Sequence, residues 1–357
     1  SGVGNHSRVD LEKMLAGKMV SVMPYVSENE EGFNGNCSPD DLEEMMQLVH
    51  LYFTNPRFDE SAYNAYMSRI KAVLQNAGSS PNSVFRDSIS FMISDRNYRR
   101  RPMNIDLLDE VDFNTLQKIY KDRFADASDF TFVLVGNVNL DELKPLVETY
   151  LGSLPNIKRK ETWKDNDIRF PKGETKNPFT FAMQVPKSSC FVAYQAPVEY
   201  NAQNKLYINA IDHVLDLRYT ETIREDEGGT YGVSANASLS KTPINQAMVT
   251  MYFDTDPDKA DHLVGIIHRE FEKIVKEGPT EEDLNKAREY FLKSRQENLR
   301  ENRFWSSAIR EYYSNGVDVV TNYDEMVKKL DTQAVKKAAS KFFDKTNMLE
   351  VIMSPEQ

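Results

Sequence analysis

The sequence is poor in cysteine and histidine, and it has no long apolar run. Its 357 residues include only two cysteines, Cys37 and Cys190, and five histidines. The cysteine spacing gives no support for a disulfide, so we expect two free, buried thiols, which leave the redox compartment open. No segment approaches the roughly 20 consecutive apolar residues of a membrane-spanning helix, and we therefore expect no membrane span.

The chain also lacks an excess of positive charge. Its formal net charge at pH 7 is −11. Nucleic-acid binding needs a basic field that neutralises phosphates, so this charge argues against a nucleic-acid ligand and disfavours an anionic membrane surface. It is compatible with peptide substrates, as it is with many other soluble partners. The first residues have no charged segment followed by an apolar one, so we expect no signal peptide there.

What the chain does have is length and apolar content. Hydrophobic residues make up 40% of it, enough for substantial cores, and the length suits two domains of roughly 150–200 residues each. A charged stretch without apolar periodicity and a Pro-Lys-Gly turn lie near the middle. We predict a first domain over residues 1–157, a linker over 158–175 and a second domain over 176–357.

Apolar spacing along the chain predicts both helices and strands. Helical periodicity covers residues 59–76 and 202–223, and the run Thr280-Glu281-Glu282-Asp283 predicts the capped start of a further helix. Strict alternation over 231–239 predicts a half-buried strand. Residues 248–253 suit its antiparallel neighbour, and the β-prone run Phe130–Val135 predicts a further strand. This mixture favours an α+β fold, in which two domains each pack helices on an antiparallel sheet, over a doubly wound parallel fold.

Motifs for metal, nucleophilic or phosphate chemistry are missing. No histidine lies in an H-E-x-x-H or H-x-x-E-H frame, and we assign no metal site to the chain. His262 and His268 lie about 120° apart around a predicted helix, so we expect both to be solvated. His50 and His213 are isolated on helices, and we expect each to be partly buried and satisfied. No G-x-S-x-G elbow or Walker A loop occurs, although a dispersed Ser/His/Asp triad stays open.

The most distinctive stretch is Glu221–Val233. A helix is expected to end near Arg224, two glycines turn the chain, and a strand begins at Thr230. Arg224 thus lies at a helix C-terminus, where a cation is favoured, and Tyr231 lies at the strand start. A guanidinium and a phenol could converge there on one carbonyl or oxyanion. Spacing alone favours the alternative, an arginine that serves only the helix dipole and a core tyrosine.

The string Ile223–Val233 resembles the signature in the C-terminal half of pitrilysin/insulinase-family zinc peptidases. In that family an arginine and a tyrosine, seven positions apart, reach from the zinc-free half to the scissile region of the substrate. Arg224 and Tyr231 have this separation, so the resemblance implies that both bind substrate. Stretches such as Pro56–Asp59 and Tyr150–Pro155 are similar to the family's repeated α/β domain.

Two departures from the family pattern define what this chain would contribute. The H-x-x-E-H motif does not occur, and the family's glutamate ligand aligns at or near Val73, whose side chain has no donor atom. The resemblance therefore implies a zinc-free half without a cofactor of its own. It would supply substrate binding and transition-state contacts to a zinc site on an N-terminal catalytic half, on the same polypeptide or on a partner chain. The compartment stays open, with the bacterial cell envelope or periplasm as a candidate.

Two alternatives accompany this hypothesis. The first is a catalytically inactive scaffold or peptide-binding protein of the same fold. The second is a zinc domain whose motif lies outside the sequence, against which Val73 argues. An H-x-x-E-H motif in the natural polypeptide or in a partner chain would separate the peptidase from the scaffold.

Overall fold

Helices and short strands are interspersed along the whole chain. The computed structural model describes residues 2–226, 230 and 232–356. The strands are β1 (Gly2–Val3), β2 (His6–Ser7), β3 (Val20–Val26), β4 (Glu31–Cys37), β5 (Glu174–Phe181), β6 (Ser188–Ala196), β7 (Val233–Ser240), β8 (Gln246–Thr255) and β9 (Asn347–Pro355). The α-helices are α1 (Arg8–Met14), α2 (Leu42–Thr54), α3 (Glu60–Ala77), α4 (Pro81–Met92), α5 (Ile105–Asp109), α6 (Phe113–Arg123), α7 (Leu140–Leu146), α8 (Ala202–Tyr219), α9 (Ala260–Glu277), α10 (Glu281–Asn298), α11 (Asn302–Asn315), α12 (Tyr323–Lys328) and α13 (Thr332–Phe342). Within the described ranges, no helix is long and apolar enough to cross a membrane.

The chain forms two compact units. One comprises Ser1–Asn76 with Met103–Asp165, and the other Ala77–Pro102 with Asn166–Gln357. Residues 77–102 pack with the second unit because Phe85 and Met92 of α4 are buried in one of its cores. The domain boundaries expected from the sequence stay a prediction, and the units differ from them chiefly in this segment.

The first unit has a small aromatic core beside a β-hairpin. Strands β3 and β4 pair antiparallel, with Val20 opposite Cys37. The ring centroids of Phe33 and Phe53 are 5.0 Å apart, and those of Phe33 and Phe124 are 4.8 Å apart. Such tilted aromatic pairs stabilise a core beyond the apolar area that they bury.

The structure has no strand at Phe130–Val135, so that prediction is wrong. Among the described residues, no neighbouring strand pairs with this segment. The rings of Phe130 and Phe132 instead lie 5.0 and 6.3 Å from that of Phe53. Aromatic and β-branched residues suit a pleated, half-buried surface, but a strand also needs a partner for its backbone groups.

The second unit is built on a five-stranded sheet in the order β5-β9-β6-β8-β7. Strands β5 and β9 are parallel and the other neighbours antiparallel. Strand β7 shows the predicted alternation and pairs with β8 in the predicted antiparallel sense, with Val233 opposite Phe253. The α+β fold class is confirmed, with one parallel strand pair in addition to the antiparallel ones.

Both faces of this sheet are covered. Helices α8, α9 and α13 bury apolar residues against one face, and α4 with Phe170 covers the other. Every residue of β6 is buried as a result, as expected for a central strand packed on both sides. Strand β7 lies at the sheet edge, and it is the strand that follows the Arg224–Tyr231 segment.

Both cysteines are free thiols. Cys190 is buried in β6, whereas Cys37 is only half-buried at the end of β4. Burial raises the pKa of the Cys190 thiol to about 12 and also raises that of Cys37. Because the thiolate is the nucleophilic form, neither cysteine is suited to thiol catalysis.

Candidate functional site

The candidate site begins where α8 ends. Helix α8 passes directly into a π-helix, Thr220–Asp226, a widened turn that is frequent at functional sites. Ile223 is fully buried and fixes this turn in the main core. The backbone of Arg224 belongs to the π-helix, but its side chain lies outside what the structure describes. Tyr231 also lies outside the described residues, so the meeting of the two side chains stays a prediction.

Two buried side chains hold the end of α8 in place. The Arg218 guanidinium is buried and donates to the Asp283 carboxylate at 3.3 and 3.4 Å and to the Gly278 carbonyl at 3.3 Å. The Tyr219 hydroxyl donates to the Ile267 carbonyl at 3.1 Å, and burial raises the pKa of this phenol well above its ordinary value. These contacts tie the residues just before the π-helix to α9 and α10.

The acceptors of Arg218 are themselves fixed. Asp283 forms a capping box with Thr280, since the Thr280 hydroxyl accepts from Asp283 N at 3.1 Å and Asp283 accepts from Thr280 N. The helix start predicted at Thr280 is thus confirmed. The Asp283 carboxylate also lies at the positive end of the helix dipole. Gly278 has φ +82°, and an added Cβ would lie 2.6 Å from that of Lys336, so a side chain does not fit there.

Asp212 connects α8 to the edge strand β7, which follows the Arg224–Tyr231 segment. Its Oδ1 accepts a 2.6 Å hydrogen bond from the backbone N–H of Ala237 in β7. Burial raises the pKa of this carboxyl to about 6, although the Ala237 hydrogen bond lowers it and nearby Asp216 adds to the rise. No described cation forms an ion pair with Asp212, so the charged form is disfavoured at this position.

The substitution Asp212→Asn is expected to stabilise the protein at neutral pH. The folded-state pKa of about 6 lies above the ordinary value of 3.8, so ionisation of Asp212 costs stability as pH rises from about 4 to 6. Asparagine keeps an acceptor for Ala237 N–H and removes that cost, which we place at about 1–2 kcal/mol for a half-buried group. Urea unfolding at pH 7.5 should show the gain, which should shrink near pH 4.5. A gain of equal size at both pH values would contradict this assignment.

Two isolated histidines lie as predicted. The Nδ1 atom of His50 is 2.9 Å from the Tyr150 carbonyl oxygen, and the side chain is partly buried. His213 is half-buried, and its ring stacks on Tyr290 at a centroid distance of 4.6 Å. Burial lowers the pKa of His213, although the charge of Asp216 partly opposes this. The neutral form of the His213 ring is therefore favoured at this position.

The prediction of a solvated His268 is wrong. Its Nε2 lies 2.9 Å from Oε2 of Glu350, and its Nδ1 forms a hydrogen bond with the Tyr194 hydroxyl. Lys176 donates to the same Glu350 oxygen at 3.1 Å. Burial raises the pKa of Glu350, but the hydrogen bonds from His268 and Lys176 outweigh it and hold the pKa below its ordinary value. The network joins α9 to the sheet, whereas His262 on the same helix is exposed.

The described residues do not fit a zinc ion. Among them, no group of three or more His, Cys, Asp or Glu residues could hold a metal. Val73, at the position that aligns with the family's glutamate ligand, lies on α3 with 59% of its surface exposed. Its aliphatic side chain offers no donor atom to a metal.

A cavity in the second unit was not predicted. It has a volume of about 600 Å³ and lies between α8, α10 and α11. Asp212, His213 and Asp216 line it from α8, and Tyr290 and Arg295 from α10. The sequence feature that points to this cavity is the pair of acids one helical turn apart at positions 212 and 216. Such pairs are common on solvated helices, so the feature does not identify a cavity.

The family model described as "Peptidase M16 inactive domain" matches residues 110–291, just over half of the chain. The chain belongs to this family. The resemblance to pitrilysin/insulinase-type peptidases, which form the M16 family, is thereby confirmed.

M16 relatives are found by both sequence and structure. An Arabidopsis thaliana protein named "Zinc protease PQQL-like" is 25% identical over 297 residues, which cover 78% of this chain and 30% of that protein. The crystal structure of the periplasmic protease PqqL from Escherichia coli superposes with a TM-score of 0.84 at 18% identity, over all of this chain and 39% of the other. A peptidase M16 inactive domain from Pseudomonas fluorescens gives a TM-score of 0.77 at 15% identity, with coverages of 100% and 86%. These structures establish the shared fold, and the chain spans about a third of the length of the curated relatives it matches.

Proposed function

We propose that the chain is the zinc-free half of an M16 metallopeptidase that hydrolyses peptide bonds. In this proposal Arg224 and Tyr231 bind the substrate backbone near the scissile bond. A zinc ion and its ligands belong to an N-terminal catalytic half, on the same polypeptide or on a partner chain. Zinc supplies Lewis-acid polarisation of the scissile carbonyl when it is bound.

The observation that carries this proposal is the anchored helix end before Arg224. Arg218 and Tyr219 fix the last turn of α8, and Ile223 buries the π-helix in the core. Strand β7 begins two residues after Tyr231 and is paired along its length with β8. The described residues on both sides of the Arg224–Tyr231 segment are thus fixed, and fixed flanking residues lower the ordering cost of binding.

The chemical role of the pair follows from its donors. A guanidinium and a phenol are both hydrogen-bond donors at neutral pH. Donors aimed at the scissile carbonyl oxygen stabilise the negative charge that develops there during attack. A peptide with an accessible backbone is the substrate class that such contacts recognise, although the sequence of the peptide is not specified by them.

The experiment that tests the proposal is a cleavage assay on the complete protein. A library of quenched fluorescent peptides is incubated with the parent protein, with and without a zinc chelator. Cleavage that the chelator abolishes and that added zinc restores is the expected result. Absence of cleavage by the zinc-loaded protein would contradict the peptidase proposal and favour an inactive scaffold or peptide-binding protein of the same fold.

A periplasmic or cell-envelope location belongs to the same proposal. The Escherichia coli protein of similar fold is described as a periplasmic protease. Cell fractionation of the source organism, with detection of the native protein, checks the location independently of activity.

A further inference from the structure

The cavity between α8, α10 and α11 has the features of a ligand site that the peptidase role does not use. Its volume of about 600 Å³ lies within the range of small-molecule pockets. Apolar Leu206 and Phe291 contribute to its lining together with charged side chains of both signs. Some of these charges are neutralised by protein partners, and others are not.

One end of the cavity carries acids without a cationic partner. Asp212 and Asp216 lie one turn apart on α8 on either side of His213. Asp212 accepts a hydrogen bond from the neutral Ala237 N–H, and within the described chain neither carboxylate forms an ion pair. The stacked rings of His213 and Tyr290 form an aromatic wall beside them. Carboxylates next to an aromatic face are the surroundings that an ammonium or guanidinium group prefers.

The other end contains a buried guanidinium that forms no ion pair with the described residues. Arg295 is only 7% exposed, and its Nη2 donates to the Val320 carbonyl at 2.9 Å. The rings of Phe304 and Tyr323 lie 4.8 and 5.0 Å from the guanidinium carbon. Among the described residues, no carboxylate lies within ion-pair distance of Arg295.

A buried arginine held in this way is unusual, because charged side chains are rarely buried unless they are paired. The nearby acid Asp318 uses its Oδ1 to accept from the N–H groups of Val320 and Thr321 at 2.8 and 2.9 Å. Hydrogen bonds with Thr321 and Val320, and then the charge of Arg295, lower the pKa of this carboxyl, but its distance from Arg295 exceeds that of an ion pair. The planar fork of an arginine can receive a carboxylate through two parallel hydrogen bonds. Arg295 is therefore placed to receive an acid from outside the chain.

The remaining charged pair in the cavity is satisfied internally. Lys205 lies 3.4 Å from Glu311 and donates to the Tyr200 hydroxyl at 2.8 Å. Tyr200 in turn donates a hydrogen bond to Glu311. Asp318 also lines the cavity, where backbone N–H groups hold it near Arg295. Among the described lining residues, Asp212 and Asp216 at one end and Arg295 at the other are then the charges available to a ligand.

The two ends are separated by roughly the length of a basic side chain. Helices α8 and α10 are antiparallel, since Arg218 contacts Asp283 while the ring of His213 lies 5.8 Å from that of Phe291. Arg295 follows Phe291 by about one turn, or roughly 6 Å along α10. This turn of α10 runs away from the acidic end of the cavity. The acids and Arg295 therefore lie on the order of 5–10 Å apart along the cavity.

We propose that this cavity binds an α-carboxylate together with a basic side chain. Free lysine or arginine, or the C-terminus of a peptide that ends in one of them, presents both groups. Arg295 receives the carboxylate, and Asp212 and Asp216 receive the cation against the Tyr290 ring. The proposal does not depend on the peptidase role, because none of the described residues that line this cavity has a part in the proposed peptide cleavage.

Isothermal titration calorimetry on this chain tests the ligand chemistry. The probes are the peptide Ala-Ala-Ala-Lys as the free acid, its C-terminal amide, its Nε-acetyl form and free L-lysine. The free-acid peptide should bind saturably, and loss of either charge should weaken binding about tenfold or more. If free lysine binds as tightly as the peptide, the free amino acid suffices as the ligand. If only the peptide binds, a peptide C-terminus is the ligand.

Matched variants locate the binding. The double variant Asp212→Asn/Asp216→Asn should lose the preference for lysine over Nε-acetyl-lysine, and Arg295→Gln, which removes the positive charge, should lose the preference for the free acid over the amide. Glu289→Gln changes an exposed acid of α10 outside the cavity and should bind like the wild type. Unfolding midpoints of all variants check that each is folded. Equal binding of charged and neutralised probes, or no saturable binding of the free-acid peptide, would overturn the proposal.

Discussion

Tyr231→Phe in the complete zinc-loaded protein is expected to lower kcat by about 10²–10³ and to change KM little. The phenolic O–H would donate to the scissile oxygen mainly when negative charge develops there. Its loss therefore raises the free energy of the transition state more than that of the bound substrate. Steady-state kinetics on a cleaved fluorescent peptide measure both constants. Phenylalanine keeps the ring, so a loss of packing should not contribute to the effect.

Two further variants make this result specific. Tyr313→Phe removes a hydroxyl from an exposed position on α11 and should leave both constants unchanged. Arg224→Lys keeps the charge but loses the planar fork, and it should weaken activity less than Arg224→Ala. If Tyr231→Phe cleaves peptides as fast as the wild type, while the chelator still abolishes cleavage, the chain belongs to a zinc peptidase but Tyr231 has no catalytic contact.

The parts of the fold that the sequence predicted are those set by local patterns. The alternation in β7, the helical stripe of α8 and the capping box at Thr280 all depend on residues within a few positions of one another. Each was predicted to within a few residues because periodicity and caps act before tertiary packing. The segment Phe130–Val135 shows the limit, since β propensity alone does not supply a paired neighbour.

The contacts around the candidate site could not be predicted because they join distant positions. Arg218 and Asp283 are 65 residues apart, and His268 and Glu350 are 82 apart. Nothing in the spacing of such residues shows which strand or helix end will bring them together. Arg224 and Tyr231 were identified by resemblance, and their roles stay proposals. The cavity depends on the packing of three helices, so its unmatched charges emerge only in three dimensions.

Asp283→Ala is expected to destabilise the second unit by about 3–5 kcal/mol, the usual cost of leaving one member of a buried ion pair unpaired. The side chains of Arg218 and Asp283 are 8% and 17% exposed. The Nη1 atom of Arg218 is already buried without a hydrogen-bond partner among the described residues. Without the Asp283 carboxylate, the Gly278 carbonyl is the acceptor that is left for the guanidinium among these residues. Loss of the capping box with Thr280 adds to the same cost. Urea unfolding, followed by circular dichroism, measures the change.

The neighbouring acid provides the control for this prediction. Glu282 pairs with Lys286 at 2.8 Å on the same first turns of α10, but both side chains are more than half exposed. Glu282→Ala should therefore cost no more than about 0.5 kcal/mol. In the double variant Arg218→Met/Asp283→Ala no buried charge is left unpaired, so it should be less destabilised than the two single costs added together. Equal costs for Asp283→Ala and Glu282→Ala would show that the buried pair does not hold the helix end before Arg224.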